Sequence, residues 1–133
     1  MSGLRPLTLE ILPETYAICR LDPSAPVPDW AESGAFRCVT RTPHELSIVC
    51  RNDAAPEGVT ASRGWRALGV AGTLDFALTG VLASIAAPLA AADVSIFAVA
   101  THDTDYVLVR QEALARAAEA LIAAGHRVVG QAR

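Results

Sequence analysis

Two apolar runs rich in β-branched and aromatic residues, 94–100 (VSIFAVA) and 106–110 (YVLVR), stand five residues apart with THDTD between them. Each is flanked on its outer side by a segment of helical periodicity. Ahead of them, GVLASIAAPLAAAD repeats Val81, Leu82, Ile85 and Leu89 on one face, with Thr79 placed to cap its start. Pro88 removes the hydrogen bond to the carbonyl of Ser84, so this helix should bend or tighten in its last turn. Behind them, QEALARAAEALIAAG carries Leu114, Ala117, Ala118, Leu121 and Ile122 on one face and Gly125 at its end. WRALGVA at 65–71 opens the series as a strand, and Val128 and Val129 begin a closing one.

Strand, helix, strand, strand, helix, strand is the split βαβ order of ferredoxin-like folds, with two helices over one face of an antiparallel sheet. About 70 residues from Gly64 onward suffice for it. The first half is less regular. LTLEIL and TYAICRL are strand-patterned and interrupted by Pro13, and a Pro-, Ser- and Asp-rich stretch leaves room for one short helix near Pro28 to Glu32. FRCVTR and ELSIVCR form another strand pair joined by Thr42 to His44, and RNDAAPEGVTASRG reads as a linker. The expected class is therefore α+β: two ferredoxin-like (βαββαβ) units, 1–62 with reduced helices and 63–133 complete. A small sheet with few helices cannot bury both faces alone, so the first unit should pair with the second or with another subunit.

The chain has 133 residues, of which 52% are hydrophobic and only 5% aromatic, so the core must be built from Ala, Val, Leu and Ile. The formal net charge of -3, with basic residues dispersed, argues against nucleic acid or an anionic membrane as partner. Cys19, Cys38 and Cys50 lie in strand-like runs without ligand spacing and read as small hydrophobes in a reducing cytoplasm. Neither a signal peptide nor an apolar run of spanning length is expected. No phosphate loop, nucleophile elbow or zinc spacing is present, so no cofactor, metal or catalytic residue is assigned.

Residues 74–109 carry Asp75-Phe76, Gly80-Val81-Leu82, Pro88-Leu89, Val94-Ser95-Ile96-Phe97 and Thr104-Asp105-Tyr106. In these the chain resembles the ACT domain superfamily, and more narrowly small bacterial proteins with two ACT-like units. These are related to the C-terminal ACT unit of aspartate kinases and to cytosolic arginine sensors. The resemblance implies binding of an amino acid or other small metabolite at unit interfaces, and no catalysis by the domain. The family commonly has Ser-Thr and an aromatic before the acidic hinge, where this chain has Ala100, Thr101 and His102. That departure bears on which ligand is taken.

An amino acid needs donors for its carboxylate and acceptors for its ammonium. The entry Thr79-Gly80-Val81 offers free backbone N–H groups, and Gly80 admits a ligand close to the backbone; close packing of the helix on a strand would also account for that glycine. Asp75 could accept the ammonium or shape an Asx turn. Ser95, Ile96 and Phe97 open the neighbouring strand, and Phe76 and Phe97 serve either as core or as ligand wall. Within the hinge, Asp103 and Thr104 suit the turn, Thr101 can make one hydrogen bond to ligand, and Asp105 matches the family acid that recognises a charged group. His102 beside Asp103 suggests a metal or acid–base pair, but neighbours in a strand face opposite ways, so the two cannot share a ligand unless the turn rearranges them. His44 reads as a turn residue and His126 as a helix-end residue. The expectation is a non-catalytic, homodimeric, ligand-binding sensor. A protein-interaction module that has lost its ligand, and an enzyme using the hinge Asp and His, are the rivals.

Overall fold

The computed structural model describes residues 6–74 and 79–130. The chain is a mixed α+β protein with seven strands and two α-helices among the described residues. In order these are β1 (Thr8–Leu21), β2 (Cys38–Arg41), β3 (Leu46–Arg51), β4 (Thr60–Val70), α1 (Val81–Ala91), β5 (Ile96–Ala100), β6 (Asp105–Arg110), α2 (Leu114–Ala123) and β7 (Arg127–Val129). A 3-10 turn at Asp29–Glu32 is the short helix expected in the first half, and another at Gln111–Ala113 leads into α2. Two compact units are formed, one from Met1–Pro13 with Arg66–Arg133, the other from Glu14–Trp65.

In the first unit the strands lie in the order β7-β1-β4-β6-β5. β5 and β6 pair antiparallel from Ile96 opposite Val109 to Ala100 opposite Asp105. Alternate residues of three strands, Leu9 and Ile11, Leu68 and Val70, Val107 and Val109, meet Ile85, Leu89, Leu114, Ala117 and Leu121 of the helices in one core. Period 2 on the strands and steps of three or four on the helices put these side chains on facing surfaces. Each fully buried Leu or Ile contributes about 1.5–3 kcal/mol of transfer free energy. The apolar stripes are narrower than the sequence suggests: Leu82 stays 37% exposed and Ile122 56%.

The closing strand corrects the local reading. β7 pairs in parallel with the start of β1, Thr8 opposite Arg127 and Glu10 opposite Val129. β1 thereby stands between β7 and β4, where a ferredoxin-like order counted from Gly64 would set β7 directly beside β4. Alternation in LTLEIL marks a strand with one buried face, but nothing local names its partner.

β1 is also one strand where two were expected. β7 uses Thr8–Glu10 and β3 uses Tyr16–Leu21, so Pro13 falls between the two paired stretches and its missing N–H costs neither ladder a bond. Likewise the expected linker is shorter, because β4 already begins at Thr60. Gly64 there adopts φ +81° and donates its N–H to Asn52 Oδ1 at 3.0 Å, a local irregularity that hides the strand pattern.

In the second unit β2, β3 and β1 pair antiparallel. Ala17, Cys19, Ala31, Leu46, Ile48, Cys50 and Ala55 make a small core. Arginines hold its loops by their carbonyls: Arg63 to Asn52, Ala55 and Pro56 at 2.9–3.1 Å, Arg37 to Glu32 and Gly34, Arg20 to His44, and Arg41 to Pro23 and Ala25. These cations are occupied with structure.

Candidate functional site

The first unit gathers its chemistry at one end, and a chain of hydrogen bonds defines that end. The Ala71 N–H donates to Thr8 O at 2.8 Å where β4 finishes beside the start of β1. The Thr104 hydroxyl, buried, donates to Val70 O at 2.7 Å, and the Leu74 N–H donates to Asp103 O at 2.6 Å. The 101–104 hinge is thus fixed against the segment leaving β4. His126 reaches both Leu7 and the first turn of α1, bringing the helix entry to the same end.

The hinge itself is a closed two-residue turn. The Thr101 N–H donates to Thr104 O at 2.8 Å; the Thr101 hydroxyl donates to the same oxygen at 2.9 Å and accepts from the Thr104 N–H at 3.2 Å. Thr101 is therefore spent largely on the turn. His102 and Asp103 occupy the tip, where the turn lets Nδ1 and Oδ1 approach to 2.9 Å, contrary to their divergence in a regular strand. Both are well exposed, at 83% and 66%, and such surface pairs contribute little stability.

Asp105 differs from its neighbours. It opens β6 opposite Ala100, is half-buried, and its carboxylate has no hydrogen-bond or ion-pair partner among the described residues. The residue opposite has only a methyl group, so nothing across the strand competes for it.

At the helix entry the structure replaces the expected cap. Gly80, not Thr79, occupies the N-cap position with φ +78°, and no side chain caps the helix. A left-handed backbone is open to glycine without strain and excludes a threonine cap there. The Ser84 N–H is the first to find a helical acceptor, Gly80 O at 2.9 Å, which leaves the N–H groups of Val81, Leu82 and Ala83 without helical partners. Thr79 and Gly80 are exposed and Val81 is buried.

Of the other expected site residues, Asp75 and Phe76 lie outside the described residues. Ser95, exposed, and Ile96 and Phe97, half-buried, begin β5 just after the C-terminal end of α1. Eleven residues of helix rise about 16 Å, so these three stand at the opposite end of the unit from Gly80 and the hinge. The structure thus brings Thr79, Gly80, Val81, Thr101, His102 and Asp105 to one end and separates Ser95, Ile96 and Phe97. Sequence reasoning gave Thr104 to the turn and His126 to the helix end, without the long-range bonds by which both secure that end. The signal for His126 was present in Pro88, which leaves the Ser84 carbonyl in need of a donor.

The second unit has a solvent-open polar cleft of about 570 Å³, lined by Asn52, Asp53, Glu57 and Arg63 among others. Arg63 is committed to three carbonyls and Asp53 to Arg51, so its gripping groups are mostly taken. Among the described residues no three His, Cys, Asp or Glu side chains converge as metal ligands, and no helix is long and apolar enough to cross a membrane.

Two helices packed over the sheet of the first unit fit an ACT-type fold. The ACT domain model matches residues 60–123, and the chain belongs to the ACT domain superfamily. A separate N-terminal-domain family matches residues 14–58. Among solved structures, a protein from Agrobacterium tumefaciens is 39% identical, with 95% of this chain and 94% of that one covered and a TM-score of 0.90. A protein of unknown function from Vibrio cholerae is 22% identical over 90% of this chain and 91% of that one, TM-score 0.73. The ligand-free regulatory subunit of aspartate kinase from Thermus thermophilus shares the fold at 12% identity, covering 85% of this chain and 94% of that one, TM-score 0.57. No curated protein sequence matches the chain.

Proposed function

We propose that this protein is a non-catalytic regulatory sensor that binds an amino acid or similarly charged small metabolite, built from two ACT-type ferredoxin-like units of which the first has reduced helices. ACT membership supports a ligand-binding regulatory role in general. The observation that carries the finer reading is Asp105, a half-buried carboxylate without a partner among the described residues, at the same end of its unit as a helix entry that no side chain among the described residues caps. The N–H groups of Val81 and Leu82 take the ligand carboxylate, Gly80 gives it access, and Asp105 takes the ammonium. Thr79, Thr101 and His102 complete the wall, Asp75 and Phe76 being assigned to the site from the family resemblance alone, while Ser95, Ile96 and Phe97 contribute only if a second copy brings them to the site. We place the protein in the reducing cytoplasm as a homodimer, in keeping with its free cysteines.

A thermal-melt screen of the twenty amino acids, polyamines and nucleotides tests this. A ligand at 100 times its Kd stabilises the fold by about 2.7 kcal/mol, a shift of several degrees. Asp105→Asn is expected to abolish the shift while leaving unliganded stability within about 1 kcal/mol. An unchanged response in that variant removes Asp105 from the site. If no compound shifts the melt, the ligand-binding reading fails and the interaction-module reading replaces it.

A further inference from the structure

Pro88 has no N–H, so within α1 the carbonyl of Ser84, four residues earlier, loses its regular helical donor. The chain supplies one from its far end. His126 is buried, with 8% exposure, and its Nε2 lies 3.0 Å from Ser84 O. Its Nδ1 lies 3.1 Å from the amide nitrogen of Leu7. An amide N–H only donates and a carbonyl only accepts, so the two partners dictate the tautomer: Nδ1 is bare and the proton sits on Nε2.

Each residue the ring touches is held in turn by other main-chain bonds. Leu7 O accepts from the Arg127 N–H at 2.8 Å, at the start of β7. The Ser84 N–H donates to Gly80 O at 2.9 Å, and the Ser84 hydroxyl donates to Val81 O at 2.7 Å. One imidazole therefore joins the segment before β1, the link from α2 to β7, and the opening turn of α1. We propose that His126 is a positioning residue: it replaces the donor lost at Pro88 and thereby fixes the helix turn that carries Gly80 and Val81. The inference stands whether or not that turn binds a ligand.

A double-mutant cycle tests it. In Pro88→Ala the restored N–H of residue 88 can take the Ser84 carbonyl, so His126→Ala becomes less costly there than in the unaltered chain. The expected result is a ratio of at least fivefold between the two backgrounds in the effect of His126→Ala on the unfolding equilibrium constant. Equal losses in the two backgrounds overturn the proposal. His126→Gln, which keeps a donor and an acceptor, should recover part of the stability that His126→Leu of similar bulk does not. Because the alanine variant could fail to fold, nitrogen-15 NMR of the unaltered protein gives an independent reading. An unprotonated Nδ1 with a protonated Nε2 is expected, and a ring protonated on Nδ1 instead overturns the assignment. Amide exchange at Ser84 and Ile85 should accelerate in His126→Leu relative to α2 as a local effect, and less so in His126→Gln; unchanged relative exchange in the leucine variant would show that the ring does not hold that turn.

Discussion

A Cβ built at Gly69 would lie 2.7 Å from Cε2 and 2.9 Å from Cδ2 of Tyr106. The tyrosine ring rests on bare backbone of the neighbouring strand, and a rigid aromatic between two β-strands has nowhere to retreat. Gly69→Ala should therefore destabilise by about 1–3 kcal/mol through overpacking, measured by urea unfolding. Placing the same substitution on a Tyr106→Leu background should recover part of that loss, because a leucine lacks the ring atoms that clash. A strictly additive double variant would mean that the ring is not what the new methyl meets. Tyr106 stands one residue after Asp105, so this contact also fixes how β6 enters the hinge. The sequence shows only a glycine in one strand and an aromatic in another; that they meet is a matter of strand register.

Register acts again where β1 and β3 meet. Ala17 pairs with Cys50 and Cys19 with Ile48, so the two cysteines lie diagonally on one face of the ladder, both buried. Burial pushes both thiols up, and the neighbouring Cys19 adds to the effect on Cys50, which is raised to about 12. A folded pKa above the unfolded value means that the native state holds its proton longer than the unfolded chain does. The stability this contributes is present in full below the unfolded value near 9 and is lost as pH rises toward about 12. Through Cys50, stability falls by at most about 1.4 kcal/mol per pH unit across that window. Urea unfolding between pH 8 and 11 should show the decline, and Cys50→Ala should flatten it. A slope unchanged in that variant would assign the loss to other groups. Cys38, half-buried on β2, should react with alkylating reagents in the native protein before the other two.

At the scale of the whole molecule, the compact unit that carries both helices is not a single stretch of chain, because it takes Met1–Pro13 together with Arg66–Arg133. Leu9 and Ile11 are core residues of that unit and β1 is the partner of β7. A fragment spanning 63–133, which the local order of elements presents as a complete unit, should therefore lack a core strand and fail to fold. Circular dichroism and amide spectra of that fragment check this, and a cooperative, well-dispersed fragment would refute it. Adding a peptide of residues 1–13 should restore structure if the missing strand is the cause. Much was legible beforehand, since hydrophobic period is a local property: the α+β class, both helices, the β5–β6 pair and the hinge were readable from Val81, Ile85, Leu89, Leu114, Leu121 and the THDTD tip. The ACT resemblance was carried by the same stretch. What the order of residues could not specify was pairing across the chain: β1 entering beside β7, Pro13 in a gap between two ladders, the imidazole of His126 at the carbonyl that Pro88 leaves open, and the distance of Ser95 from the hinge. Periodicity states which face of an element is buried, but partners more than 100 residues away are selected by the free energy of the assembled core, which only the tertiary structure expresses.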